Sequence, residues 1–270
     1  MIRTRIWRIR AGLSCRIALL SDLHNADGTE ALQRLAQLRP DLIAVTGDLF
    51  LGYHALEGDD LLRTQHNILP FLEGCVKLAP TYISLGNHEW VVSASDLEGL
   101  ASTGAVILDN RWVRERSCGL LIGGLTSGML TDFRRFRKRH ADGDPYPHEI
   151  RHTDAYILRP RTKWLDRFER RQGYKVLLCH HPEYWCLQEP MLIDRRIDLV
   201  LAGHAHGGQI RLFGQALYAP GQGVLPRYTG GLYTGPHGRL LISRGLSNTA
   251  PWPIPRLFNP PEVVLAELRP

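Results

Sequence analysis

Five short apolar segments of the chain each end abruptly in a turn that contains Asp, Asn or His. Written with their turns, they are CRIALL-SDLHNADG, DLIAV-TGDLF, TYISL-GNHEW, YKVLLC-HHPE and IDLVLA-GHAHGG. The runs are short and rich in β-branched or aliphatic residues, which predicts buried strands rather than helices. Because ligands of open α/β sheets bind beyond the carboxyl ends of the strands, the polar turn residues are expected to converge on one site.

Helical patterns lie between these strands. They cover TEALQRLAQL after Gly28, DDLLRTQHNILPFLEGCVKL, SASDLEGLAS and RTKWLDRFERRQ. Ser93 and either Asp59 or Asp60 are the expected N-caps, and Gly173 is expected to close the last helix. The segment VILDNRWVRERSCGLLIGGL instead predicts consecutive strands with an antiparallel component. The alternation as a whole predicts an α/β architecture.

The bulk properties indicate a folded domain without a membrane span. A chain of 270 residues with 44% hydrophobic content can build a substantial core, and we expect a single domain over residues 1–270. Arginines interrupt the apolar stretches of the N-terminus before a signal-peptide core can form, so the expected location is cytoplasmic. The five cysteines are scattered without a C-x-x-C pair, which favours a reducing compartment and thiols that act as small buried hydrophobes.

The formal charge of +6 and an isoelectric point near 9.2 favour anionic partners such as phosphate esters, nucleic acids or lipid headgroups. Residues 126–154 are polar, basic and turn-rich, and we expect them to form an insertion or lid within the domain. Their run RRFRKRH either contacts phosphate or a nucleic-acid backbone or forms a solvated helix face. The solvated face is favoured, because few aromatic residues interleave with the basic ones.

The N-terminal segment RTRIWRIR also has two interpretations. It could lie on an anionic membrane surface with Trp7 at the interface, which would make the protein peripheral to the inner face of the membrane. The simpler interpretation is an edge strand whose arginines face water.

The polar residues at the predicted strand ends have the chemistry of metal ligands. They are Asp22, His24, Asp48, Asn87, His88, His180, His204 and His206. In extended backbone, residues two apart point to the same side, so the pairs D-x-H and H-x-H can each aim two side chains at one point. Imidazole and carboxylate suit Mn, Fe or Zn, and the absence of thiolates argues against a closed structural zinc site. Two such cations would keep a net positive charge, which suits an anionic phosphate ester.

The motif order D-x-H, G-D, G-N-H-E, H and G-H-x-H resembles the calcineurin-like metallophosphoesterase superfamily from Leu20 to His206. The flanking segments GHAHGGQIRL and SRGLSNTAPWPIPRLFNPPEVVLAEL extend the resemblance to its bacterial metal-dependent phosphodiesterase subfamily. The resemblance implies a four-layer α/β/β/α sandwich of two mixed β-sheets flanked by helices. It also implies a dinuclear site with two divalent or trivalent ions, Mn, Fe or Zn.

The resemblance assigns a role to each donor. Asp22, His24 and His206 would hold the first metal, Asp48 would bridge both, and Asn87, His180 and His204 would hold the second. A hydroxide between the metals would attack phosphorus, and His88 would stabilise the transition-state charge or protonate the leaving group. His180 is chosen over His181 because the ligand directly follows the strand, which leaves His181 to support the site or contact substrate. Glu89 is expected to be structural, for instance by orienting His88.

The implied function is a metal-dependent phosphoesterase, with a phosphodiesterase favoured. The alternatives are a pyrophosphatase that acts on a lipid-linked or nucleotide-sugar diphosphate such as an acylated UDP-sugar, a nuclease, and an inactive binding scaffold. The scaffold is disfavoured because every ligand position is filled.

Overall fold

The computed structural model describes residues 1–51, 60–127, 162–247 and 256–270. Its architecture is mixed α/β, with two six-stranded mixed sheets and few helices. The strands are β1 (Arg3–Arg10), β2 (Cys15–Leu20), β3 (Leu42–Val45), β4 (Thr81–Ile83), β5 (Val106–Ile107), β6 (Arg111–Glu115), β7 (Leu120–Leu125), β8 (Lys175–Cys179), β9 (Leu199–Ala202), β10 (Arg211–Leu212), β11 (Gln215–Ala216), β12 (Tyr218–Ala219), β13 (Gly223–Val224), β14 (Gly231–Thr234), β15 (Arg239–Ile242) and β16 (Glu262–Arg269).

The first sheet has the order β1-β16-β2-β3-β4-β5 and the second the order β14-β15-β9-β8-β7-β6. The pairs β2–β3, β3–β4, β7–β8 and β8–β9 are parallel, so the strands that precede the polar turns share one direction within each sheet. β6 and β7 are antiparallel, as the sequence pattern predicts. β1 lies at the edge of the first sheet, which confirms the edge-strand interpretation of RTRIWRIR.

Side chains on the central strands alternate between two cores. On β2, Ile17 and Leu19 belong to the core between the sheets, whereas Ala18 and Leu20 face the core under the helices α1 (Thr29–Leu38), α2 (Ile68–Leu78) and α3 (Ala94–Ser102). On β9, Leu199 and Leu201 likewise face inward, while the intervening residues pack toward α4 (Lys163–Glu169). Such two-sided burial explains the continuous apolar runs in the sequence and confirms the four-layer sandwich.

Two of the four helices match their sequence patterns closely. α1 has the predicted bounds, and α3 begins after Ser93, whose Oγ accepts from the backbone N–H of Asp96 in a capping box. α2 begins only at Ile68 and is preceded by a short 3-10 helix, Leu61–Arg63. Pro70 explains the late start, because proline lacks the N–H that a helix arriving from upstream would need.

α4 ends at Glu169, so the expected closure by Gly173 is wrong.

The predicted insertion at 126–154 lies outside the described residues except for Thr126 and Ser127, and so does its run RRFRKRH. The single-domain organisation stays a prediction. Within the described ranges, the structure contains no helix long and apolar enough to span a bilayer.

The interpretation of all five cysteines as small buried hydrophobes is wrong for two of them. Cys15 at the start of β2 and Cys118 in the β6–β7 turn form a disulfide that joins the two sheets. Cys75 and Cys179 are buried free thiols, and Cys186 is half-buried. Because the reducing compartment was inferred from unpaired cysteines, the disulfide removes that support, and the cytoplasmic location stays a prediction.

Candidate metal centre

The predicted donors lie where strands of both sheets end on the same side of the molecule. Asp22 follows β2, Asp48 follows β3 and Asn87 follows β4, while His180 follows β8 and the pair His204 and His206 follows β9. Backbone hydrogen bonds cross between the sheets at this level. Leu246 N–H donates to Ser21 O at 2.9 Å, and Ser127 N–H donates to Leu85 O at 3.0 Å. The site therefore rests on the ends of two packed sheets rather than on one loop.

His24, Asp48 and His88 form one group of potential ligand atoms there, and two further groups contain residues that the resemblance assigns to the first and to the second ion. Of these two, one is Asp22, His24 and His206, and the other is Asp48, His180 and His204, with the ligand atoms of each group within 4.8 Å of one another. His206 Nε2 lies 3.4 Å from Asp22 Oδ1, and His180 Nε2 lies 3.0 Å from Asp48 Oδ2. His24 Nε2 lies between both carboxylates, 3.9 Å from Asp22 Oδ1 and 3.8 Å from Asp48 Oδ2.

The backbone at these donors is left-handed rather than extended. φ is +56° at Asp22, +46° at His24, +54° at Asp48, +64° at His204 and +45° at His206. The sequence argument from extended alternation therefore gave the wrong reason for the convergence of each D-x-H or H-x-H pair. A left-handed conformation costs a non-glycine residue roughly 1–2 kcal/mol, and such strain is concentrated at functional sites.

Hydrogen bonds orient two of the imidazoles toward the common centre. A backbone carbonyl only accepts, so His180 Nδ1 donates to Thr46 O at 2.6 Å and His24 Nδ1 donates to Phe50 O at 3.2 Å. Each Nε2 is thereby left unprotonated in the neutral ring and available as a ligand.

The donor atoms are arranged to bind a cation rather than to form hydrogen bonds with one another. His24 Nε2 and His206 Nε2 face each other at 3.3 Å, and Asp22 Oδ2 is buried without a hydrogen-bond partner among the described residues. Carboxylate, imidazole and amide donors in this arrangement match metal ions such as Mn, Fe or Zn. The residues present therefore fit the metals implied by the sequence.

Burial and mutual charge set the protonation states of the cluster. Burial raises the pKa of Asp48, but His180 and His88 outweigh it and hold that pKa well below its usual range. On His180, burial lowers the pKa, yet Asp48 and Asp22 together raise it to about 10. Burial lowers the pKa of His206 to about 4 against the effect of Asp22. Anionic carboxylates and mostly neutral imidazoles are the forms that bind metals, and a cation would replace the proton of His180.

His88 and Asn87 lie beside the Asp48 group. Both are buried, and a short 3-10 helix, His88–Val91, begins directly after Asn87. His88 N–H donates to Asp48 Oδ1 at 3.0 Å, and the His88 ring contacts the His24 ring edge-on at 4.5 Å. Burial lowers the pKa of His88 to about 3, with Asp48 acting in the opposite direction. His88 is therefore a neutral imidazole at neutral pH, adjacent to both groups of donors.

Glu89 accepts hydrogen bonds from the loop of Asp48 and thereby supports that loop. Its carboxylate accepts from the backbone N–H groups of Asp48 at 2.8 Å, Leu49 at 2.7 Å and Gly86 at 2.6 Å, and from Phe50 at 3.2 Å. Burial, followed by the neighbouring Asp48, raises the pKa of Glu89 to about 7. The expectation of a structural role fits these contacts, although the residue they position is Asp48.

Two further residues support the site and carry less signal in the sequence. His181 Nδ1 is 2.8 Å from Ser127 Oγ, and its ring lies 4.1 Å from that of His204, so His181 packs against a predicted ligand. Asn259 Nδ2 donates to His206 O at 2.6 Å. Nothing in the proline-rich segment around Asn259 suggested this contact, because it joins residues 53 apart in sequence.

Glycines allow the loops to approach closely. A Cβ on Gly203 would overlap Ser21 Oγ and lie 2.7 Å from Asp22 Oδ2. Gly207 has φ +64°, and a Cβ there would overlap Asn259 Oδ1. The glycines around the H-x-H pair thus make room for the cluster.

Comparison with known proteins identifies a family and several similar proteins. A family model described as calcineurin-like phosphoesterase matches residues 15–208. UDP-2,3-diacylglucosamine pyrophosphatase LpxG of Chlamydia muridarum is 25% identical over 93% of this chain and 82% of its own length. An uncharacterized metallophosphoesterase of Aquifex aeolicus is 24% identical over 97% of this chain and 88% of its own length. A dimetal phosphatase structure from Danio rerio covers 86% of this chain and 88% of that chain at 13% identity, with a TM-score of 0.49.

Proposed function

The chain belongs to the calcineurin-like phosphoesterase family, and on this premise we propose that it is a two-metal hydrolase of phosphate diesters. The observation that carries the proposal is the gathering of two carboxylates and four imidazoles into two adjacent groups beyond the strand ends. Each is buried, so the ligands form one enclosed cluster instead of a solvated acidic surface. The filled ligand set argues against an inactive scaffold.

The first ion would be held by Asp22, His24 and His206, the second by Asn87, His180 and His204, and Asp48 would contact both. When bound, the two ions would supply Lewis acidity and a hydroxide at neutral pH for in-line attack on phosphorus. The protein's part is to fix these donors through strand ends, left-handed turns and the hydrogen bonds from His180 and His24 to backbone carbonyls.

His88 is the residue proposed to act on the substrate directly. It is neutral at neutral pH, since burial lowers its pKa to about 3. A neutral imidazole is a poor proton source but retains one N–H donor. Of the two roles considered from sequence, stabilisation of charge on the phosphoryl oxygens is therefore favoured over protonation of the leaving group.

A second candidate is hydrolysis of a diphosphate bond in a lipid-linked nucleotide sugar. The relative from Chlamydia muridarum is named for that reaction, and it matches nearly the whole of this chain. In both substrates a hydroxide would attack phosphorus, with a phosphate leaving from the phosphoanhydride and an alcohol leaving from the diester, and the groups on either side would decide the specificity. The metals themselves and the location of the protein stay predictions.

The test is hydrolysis by metal-reconstituted protein of bis(p-nitrophenyl) phosphate, p-nitrophenyl phosphate and an acylated UDP-sugar. We expect turnover of a diester or the diphosphate that depends on added metal and is lost in Asp48→Asn. Asp194→Asn is the matched control, because Asp194 is exposed and precedes β9, whereas the donors His204 and His206 follow that strand. Undiminished metal-dependent turnover in Asp48→Asn would refute the proposal.

A further inference from the structure

Large apolar side chains are exposed together next to the loop that carries His206. Phe213 is fully exposed, Phe258 is 79% exposed and Val224 is 78% exposed. We call the whole set the apolar rim, and it consists of Leu212, Phe213, Tyr218, Val224, Leu225, Leu257 and Phe258. Single exposed apolar residues are ordinary on protein surfaces, whereas a cluster of this kind marks an interaction site.

Backbone pairing makes the apolar rim one continuous surface. β10 and β11 form a hairpin with Phe213 at its tip, and Tyr218 on β12 is directly opposite Val224 on β13. Leu225 N–H donates to Leu217 O at 2.9 Å, which joins the two short ribbons. Arg211 N–H donates to Leu257 O at 3.0 Å, which brings Leu257 and Phe258 beside the hairpin.

The apolar rim is fixed to the metal centre by polar contacts. The Arg211 guanidinium donates to Gly207 O at 2.8 Å, directly after the ligand His206, and also to Gly214 O at the hairpin tip. Asn259, which follows Phe258, donates to His206 O at 2.6 Å. The exposed phenylalanines are therefore held in place relative to the proposed ions.

Positive charge is concentrated beside the apolar rim. Arg5 Nε lies 2.9 Å from Glu262 Oε2, and Arg244 Nε lies 3.9 Å from the same oxygen. Burial lowers the pKa of Arg244. Glu262 opposes this shift, and the nearby positive charges of Arg211, Arg5 and Arg3 add to it. Two guanidinium groups thus pair with the single carboxylate of Glu262, with Arg211 and Arg3 near enough to act on Arg244. Arg227, between the rim and β14 in sequence, is exposed as well.

We propose that the apolar rim and the adjacent arginines dock this end of the protein on the surface of an anionic phospholipid bilayer. Aromatic and aliphatic side chains would enter the interfacial region, and the arginines would contact lipid phosphates. Charge selects this occupant over a second copy of the chain, because a symmetric contact would bring the two arginine clusters together. The docked face is the one that contains the metal centre, so a bound protein would present its ligands toward the membrane.

The test is co-sedimentation of the full chain with vesicles of phosphatidylcholine alone or with phosphatidylglycerol added. We expect binding to the anionic vesicles that weakens with salt. Phe213→Ser combined with Phe258→Ser should lower the partition coefficient by about tenfold or more, since two exposed rings no longer enter the interface. Leu78→Ser is the matched control, because Leu78 is 39% exposed and precedes β4 at the end of the sheet away from the metal centre.

Arg3→Gln with Arg227→Gln is a second variant that leaves the apolar rim intact, and it should lose the preference for anionic vesicles. Circular dichroism melting identifies any variant that fails to fold. Binding is measured without substrate, so its outcome is independent of the proposed hydrolysis. Wild-type protein that stays in the supernatant with anionic vesicles, or a phenylalanine variant that binds like wild type, would overturn the proposal. A dimer that the phenylalanine variant converts to monomer, without vesicle binding, would assign the rim to self-association instead.

Discussion

Glu89 holds Asp48 through its backbone, with Glu89 Oε2 accepting from Asp48 N–H at 2.8 Å. The same carboxylate accepts from Leu49, Phe50 and Gly86, so it gathers the turns after two neighbouring strands. Asp48 is the residue proposed to contact both ions, and its left-handed backbone needs such support. Glu89 is thus a positioning residue that acts through Asp48.

Glu89→Gln should weaken metal binding by about 10–100-fold, because glutamine places an NH₂ group against N–H donors that Glu89 accepts from. It should also lower the free energy of unfolding by about 1–3 kcal/mol, the cost of unpaired buried groups. Metal titration followed by turnover at saturating metal separates the two effects. The control is Glu98→Gln on the exposed face of α3. Unchanged metal affinity in a folded Glu89→Gln protein would show that the loop does not need the carboxylate.

His88→Asn should lower kcat by about 10²–10³-fold while both ions remain bound, because it removes a donor to the substrate but no proposed ligand. Elemental analysis and kinetics on the same sample check this. Equal loss of metal and of activity would instead make His88 part of the ligand set, a role consistent with its group with His24 and Asp48.

Gly203→Ala should reduce metal affinity about tenfold or more, because the new Cβ would overlap Ser21 Oγ and push against Asp22 Oδ2. Gly119→Ala is the control for a destabilising glycine substitution away from the site, since Gly119 has a left-handed φ of +73° and no atom within 4 Å of an added Cβ. Isothermal titration with Mn²⁺ compares the two. Equal affinities would mean that the Asp22 turn tolerates the methyl group.

Alkylation with iodoacetamide should modify Cys186 well before Cys75 or Cys179 in the native protein. Burial raises the pKa of Cys75 to about 12 and also raises that of Cys179, so both thiols are protonated and shielded at pH 8. Cys15 and Cys118 should react only after reduction. Peptide mass spectrometry measures all five sites. Labelling of Cys15 without reductant would show that the disulfide is not formed.

The sequence predicted the strand ends and the convergence of their donors because short apolar runs and polar turns are local signals. The four-layer sandwich was predicted from the family resemblance. The alternation along β2 gives its physical reason, because Ile17 and Leu19 face the core between the sheets whereas Ala18 and Leu20 face the core under the helices. Three features depended on distant contacts and were missed. The Cys15–Cys118 disulfide, the Asn259–His206 contact and the exposed apolar rim each join segments whose proximity appears only in the folded chain.

The backbone at the proposed metal ligands shows a different limit of prediction from sequence. Alternation along an extended strand correctly placed Asp22 with His24 and His204 with His206, but the turns that aim them are left-handed. Residue type gave no indication of this, since aspartate and histidine adopt many conformations in turns. Tertiary contacts such as His204 N–H to Asp22 Oδ1, at 3.2 Å, accompany the strained backbone.

The most direct test of the central claim is an anomalous difference map from crystals grown with Mn²⁺. We predict two peaks about 3.5–4 Å apart, one beside Asp22, His24 and His206, the other beside His180, His204 and Asn87, with Asp48 between them. A map without a peak among these side chains, while Mn²⁺ is bound elsewhere or not at all, would contradict the account.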